Sequence, residues 1–92
     1  MIFDKDAIFK ALSDSNRRLM LDELSERKEM TLYELTSRLI MKHNLSISRQ
    51  AIAKHLAVLE EAGLVESKRK GKFRVLQFNN EPLENLLKGW ID

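Results

Sequence analysis

A mainly α-helical domain with one small β-hairpin is the fold class that this chain of 92 residues predicts. Apolar residues recur at helical spacing in five separate runs, and the run from Ser48 to Gly63 carries both a start and a stop signal. Directly after Gly63 the period changes from helical to extended. The expected order is α-α-α-α-β-β-α, one domain spanning residues 1–92. A core of that size gains from a dimer interface. The composition, 43% apolar and 33% charged with one proline, suits packed helices rather than disorder.

Ile2, Phe3, Ile8, Phe9 and Leu12 alternate with Asp4, Lys5, Asp6 and Lys10 in an amphipathic pattern that predicts a first helix beginning near Asp4 or Asp6. Ser13-Asp14-Ser15-Asn16 is a cluster of capping and turn residues. It separates the first helix from a second, Arg17 to about Arg27, with Leu19, Met20, Leu21 and Leu24 apolar. Glu26 to Glu29 reads as a charged connector. Thr31 then caps a third helix with the stripe Leu32, Leu35, Leu39 and Ile40, ending at Lys42-His43-Asn44, where Asn44 tolerates a left-handed conformation. The linker from Ile40 to Ile47 leads to the fourth helix, which either Ser46 or Ser48 caps.

On that fourth helix Ile52, Leu56 and Leu59 share one arc with Ala51, Val58 and Ala62 and face a core. The opposite arc carries Arg49, Gln50, Ala53, Lys54 and Ala57. Two alanines leave its middle flat between long hydrogen-bond donors, the shape and chemistry that a major groove accepts. The third and fourth helices, joined by a polar linker, form a helix-turn-helix.

Leu64–Arg69 and Phe73–Phe78 are two strand-like runs around the turn Lys70-Gly71-Lys72. Lys68, Arg69, Lys70, Lys72 and Arg74 place five positive charges within seven residues at the tip of this hairpin. A hairpin in this position is the wing of a winged helix-turn-helix, reaching the backbone or minor groove beside the site that the helix reads. Net charge is only +2, but it is unevenly spread: Met1 to Met30 holds six Lys/Arg against seven Asp/Glu, and Lys42 to Arg74 holds eight against three. Such a local excess is the footprint of phosphate contacts.

After a turn at Asn79-Asn80-Glu81-Pro82, Leu83, Leu86, Leu87, Trp90 and Ile91 recur at i, i+3, i+4, i+7 and i+8. A terminal helix this apolar is expected to pack partly within its own domain and partly against a second copy. The predicted dimer interface comprises Phe3, Ile8 and Phe9 of the first helix with Leu83, Leu86, Leu87 and Trp90 of the last.

Several function classes drop out. With no cysteine, disulfides and thiolate metal sites are absent. Two separated histidines and no glycine-rich phosphate loop leave no constellation for acid–base or nucleophilic catalysis, and no cofactor is expected. The N-terminus turns polar at once, without signal peptide or long apolar run, so the expected location is cytoplasmic, away from membranes.

The segments Phe9-Lys10-Ala11-Leu12-Ser13-Asp14, Asn16-Arg17-Arg18, Ser48 to Leu56 and Leu59-Glu60-Glu61-Ala62-Gly63-Leu64-Val65 resemble the ArsR-type winged-helix repressors, in order and over nearly the whole chain. The resemblance implies a homodimeric, sequence-specific regulator of transcription, usually a repressor released from an inverted-repeat operator by a signal. It also implies that the helix from Arg49 reads bases and that the hairpin around Gly71 is the wing. Metal-sensing members carry a Cys-x-Cys pair where this chain reads Thr31-Leu32-Tyr33-Glu34-Leu35, or Asp and His pairs on a last helix that here holds no His. Metal sensing is therefore not expected.

The expected DNA contacts are Ser48, Arg49, Gln50, Ala53, Lys54, Lys68, Arg69, Lys70, Lys72 and Arg74. His55 joins them on the resemblance, as a phosphate contact. Its position at the edge of the apolar arc favours instead a partly buried imidazole with a hydrogen-bond partner. His43 reads as a surface residue. Arg17 and Arg18 stand open between the DNA backbone and ion pairs with Asp14 or Asp22. A second function class is a winged-helix interaction module whose basic hairpin meets an acidic protein partner. A releasing signal has to act at the dimer interface, through an unidentified effector or partner protein, or through protein concentration.

Overall fold

The computed structural model describes residues 4–91. In chain order they form α1 (Lys5–Leu12), α2 (Ser15–Glu26), β1 (Met30–Thr31), α3 (Leu32–Met41), α4 (Arg49–Glu61), β2 (Val65–Lys70), β3 (Phe73–Phe78) and α5 (Glu81–Ile91). This is the expected winged helix-turn-helix with one addition, the short strand β1, which makes the hairpin a three-stranded antiparallel sheet of order β1-β3-β2. Met30 pairs with Leu76 and Thr31 with Val75. The connector predicted over Glu26 to Glu29 therefore gives way at once to a strand. Two residues are too few to show an alternating pattern in sequence, and Met30 is fixed there by burial against its partner, Leu76.

The first four helices each start with a side-chain cap. Asp4 Oδ1 accepts from the backbone N–H of Asp6 (2.9 Å), and Asp14 Oδ2 from that of Arg17 (3.0 Å). The second helix consequently begins at Ser15, two residues before the predicted start, because Asp14 alone of the turn cluster takes the cap. Thr31 ends β1 and opens α3 through a capping box: its Oγ1 accepts from Glu34 N (3.0 Å), and Glu34 Oε1 accepts from Thr31 N (3.3 Å). Ser48 caps α4 by accepting from Ala51 N (3.0 Å), which decides between Ser46 and Ser48.

The helix ends are equally specific. Asn44, at φ 52°, turns the chain out of α3. Gly63, at φ 77°, ends α4: its N–H donates to the Glu60 carbonyl (2.9 Å) and the Leu64 N–H to the Leu59 carbonyl (3.0 Å), the Schellman arrangement. Gly71, at φ 61°, takes the first central place of the two-residue turn between β2 and β3, where a primed turn requires positive φ.

The core runs through every helix. Ile8 and Ala11 of α1, Met20 and Leu24 of α2, Leu35 and Leu39 of α3, Ile52, Leu56 and Leu59 of α4, and Leu64, Val65 and Leu76 of the wing base are buried together. Leu45 and Ile47 from the long linker pack against it, so the extra residues before α4 are anchored by their own apolar side chains. Burying one such leucine contributes roughly 1.5–3 kcal/mol, which is how the inner arc of α4 holds its outer arc in place.

Candidate nucleic-acid interface

The outer arc of α4 is solvent-facing along its length: Arg49, Gln50, Ala53, Lys54 and Ala57 are exposed, with Ser48 beside them at the helix start. The opposite side holds Ile52, Leu56 and Leu59 in the core. Three donors of different reach therefore project from a rigid helix around two alanines, without bulky side chains in between. Such a surface fits a major groove and can make paired hydrogen bonds to base edges.

The wing's five cations are not equivalent. Arg69 and Arg74 stand opposite each other in the β2–β3 register, so they share one face of the ribbon, while Lys68 and Lys70 alternate to the other. Arg74 donates to Glu60 on α4 and, through Nε, to Ser67 Oγ (3.4 Å), which clamps the wing base against the helix. Lys70 Nζ lies 2.9 Å from Glu29 Oε1 just before β1. Among the described residues Lys68, Arg69 and Lys72 have no carboxylate within ion-pair distance. The Lys70–Glu29 pair is half-exposed and worth at most about 1 kcal/mol, so phosphate can take the place of Glu29 at little cost.

His55 lies on the inner flank of α4, three-quarters or more buried. Its Nδ1 is 3.0 Å from Arg17 NH1 and 3.9 Å from Asp14 Oδ2. Because guanidinium only donates, Nδ1 is the acceptor of the Arg17 bond. Arg17 also donates to the carbonyls of Ala11 (2.9 Å) and Lys10 (2.8 Å), and Arg18 to that of Leu12 (2.7 Å). In place of ion pairs with Asp14 or Asp22, both arginines donate to carbonyls at the C-terminal end of α1, that of Lys10 being shared with the Ser13 N–H and Oγ. Arg17 thereby bolts α1, α2 and α4 together. The Asp14 carboxyl is held below its ordinary range, chiefly by the Arg17 backbone N–H.

A second cluster sets the angle between α2 and α3. Glu23, almost fully buried, accepts from His43 Nε2 (2.7 Å), Lys42 Nζ (2.9 Å) and Arg38 NH1 (3.1 Å). Burial pushes its carboxyl up, but the hydrogen bonds from His43 and Lys42 and the charges of Lys42 and Arg38 outweigh this and lower it to about 2. His43 is therefore a partner of a buried carboxylate, not a free surface residue. No sequence pattern marks this, since Glu23 sits beside Asp22 in a mixed stretch and its partners lie at least fifteen residues further along the chain.

The proposed self-association face divides in two. Ile8 (1% exposed) and Leu86 (7%) belong to the chain's own core and have almost no surface to offer a partner, a correction to their predicted place. Phe9, Leu87, Trp90 and Ile91 are exposed and Leu83 is half-buried; the Phe9 and Trp90 rings stack with centroids 5.8 Å apart. Phe3 lies outside the described residues.

A helix-turn-helix domain family matches residues 12–68, which span α2, the helix-turn-helix and most of β2. An uncharacterized HTH-type transcriptional regulator, YuzN of Bacillus subtilis (strain 168), is 80% identical over 89 residues, covering 97% of both chains. The transcriptional repressor SdpR of the same organism is 33% identical, covering 91% of this chain and 84% of its own. The arsenic resistance transcriptional regulator ArsR1 of Pseudomonas putida is also 33% identical, over 92% of this chain, which spans 64% of that protein's length. Among solved structures, an ArsR-like transcriptional regulator from Rhodococcus sp. RHA1 superposes with a TM-score of 0.76 at 34% identity, over 91% of this chain and 73% of that one.

Proposed function

The chain belongs to the ArsR-type family of winged helix-turn-helix transcriptional regulators, and from that premise we propose that it is a homodimeric repressor binding an inverted-repeat operator in the cytoplasm. The family is one of regulators, not enzymes, and its helix-turn-helix implies a DNA partner. The observation that carries the finer reading is the outer arc of α4: Arg49, Gln50 and Lys54 project around Ala53 and Ala57 while the inner arc is locked in the core. Arg49 and Gln50 contact base edges, and Lys54 reaches the flanking base or phosphate. Lys68, Arg69 and Lys72 attach the wing to phosphate, with Lys70 joining on release from Glu29.

Dimerisation rests on the face of α1 and α5 where Phe9, Leu83, Leu87 and Trp90 gather. A contiguous apolar patch of this kind is what a second copy covers. Two-fold symmetry then presents two copies of α4 to successive major grooves on one side of the duplex. Among the described residues no helix is long and apolar enough to cross a membrane.

Selection of bound sequences from a random duplex pool at moderate salt tests the reading. The expected result is an inverted repeat whose half-sites lie about one helical turn, roughly 34 Å, apart. Recovery of a single unpaired half-site contradicts the dimer, and recovery without enrichment contradicts sequence reading by α4.

A further inference from the structure

A groove of about 570 Å³ lies between the outer side of α3, the first turns of α4 and the tip of the wing. Part of its lining is apolar and unusually open to water: Tyr33 is 75% exposed and Met41 83%, with Ile40 and Phe73 also exposed. Large apolar side chains gathered in a concave surface mark a place where something binds. The remainder is basic. Arg49, Arg69, Lys72 and Arg74 border the groove and no Asp or Glu does. Glu60 neutralises Arg74, which leaves three cations without a carboxylate partner among the described residues.

We propose that this groove binds an amphipathic organic anion, a carboxylate or sulfonate on an aromatic or aliphatic body, and that its occupant competes with DNA. The volume falls within the roughly 300–1,000 Å³ range of small-molecule sites. The apolar body covers Tyr33, Ile40, Met41 and Phe73, and the acid group meets Arg49, Arg69 and Lys72. Phosphate alone accounts for the cations but leaves the apolar lining uncovered. A neutral apolar compound covers the lining but leaves the cations unused. Only a molecule with both parts satisfies both walls. The competition follows because Arg49 and the wing cations cannot pair with an organic acid and with DNA at once. It rests on the DNA contacts proposed above, whereas binding in the groove does not. Under simple competition, anion at ten times its own Kd raises the apparent Kd for DNA about tenfold.

The test uses 8-anilinonaphthalene-1-sulfonate as the anionic probe on the full chain, read by its fluorescence, with neutral N-phenyl-1-naphthylamine as the control. The expected result is saturable binding of one sulfonate per chain, at least tenfold tighter than the neutral dye. The double variant Met41→Ser, Phe73→Ser is expected to weaken it tenfold or more. Both positions are exposed, so the variant keeps its helical circular dichroism. Unchanged affinity in the double variant, or equal affinity for the neutral dye, overturns the site. Added duplex from the sequence selection is expected to displace the probe, and a ternary complex overturns the competition. A chain that binds the probe but no duplex contradicts the DNA reading and with it the competition, while the groove stands on the dye titration.

Discussion

Glu23 shows how a single buried carboxylate can fix the geometry of a reading surface. It draws Arg38, Lys42 and His43 onto α2, and those three residues span the last turn of α3 and the start of the linker to α4. Its carboxyl is lowered from 4.5 to about 2, so its contribution is fully present above pH 4.5 and is lost as pH falls towards 2. The size is on the order of 2–3 kcal/mol, discounted because Lys42 and Arg38 are partly solvated. Glu23→Gln is expected to destabilise by that amount at pH 7 in chemical denaturation, and its deficit against the unsubstituted chain to narrow by about half at pH 3. A deficit that stays constant between these pH values contradicts the assignment. None of this was legible in the sequence. A glutamate set between Asp22 and Leu24, with Ser25 and Glu26 following, carries no mark of burial, and long-range pairs such as Lys70 with Glu29 or Arg74 with Glu60 leave no periodic trace.

At the scale of elements the sequence was far more informative, because caps and periodicity are local. The third-helix cap Thr31, the left-handed Asn44, the terminating Gly63 and the turn at Gly71 all stand where their chemistry pointed. The strand β1 was not legible, since its two residues are defined by pairing with Leu76 and Val75 some forty-five positions later. The inner arc of α4 followed from spacing alone, and with it the outer arc. Ser48 is the element's starting point: its Oγ accepts from Ala51 N and fixes where Arg49 and Gln50 emerge. Ser48→Ala is expected to cost about 1 kcal/mol of stability. It should also lower affinity for the selected duplex more than for a scrambled one, because fraying displaces the two residues proposed to read bases. Equal losses on both duplexes, measured by fluorescence anisotropy, count against that role.

Across the whole molecule, stability and recognition occupy opposite sides of the same helix. The core formed by α1 to α4 and the wing base leaves the outer arc of α4 and the hairpin tip free. On α5, Leu87, Trp90 and Ile91 stay exposed while Leu86 joins the core, and Trp90 stacks on Phe9; this is the face proposed for a second copy. The sequence made the overall arrangement readable but not the groove beside α4, because Tyr33, Met41 and Phe73 come from three separate segments that only the fold assembles. The central claim is that α4 reads sequence while the wing holds phosphate. The direct measurement compares Arg49→Ala and Lys72→Ala on the selected duplex and on a scrambled one at equal salt. Arg49→Ala is expected to lose about 1–3 kcal/mol on the selected duplex and little on the scrambled one, whereas Lys72→Ala weakens both alike and reduces the salt slope by about one. Equal losses on the two duplexes for Arg49→Ala would show that the helix holds backbone and reads nothing.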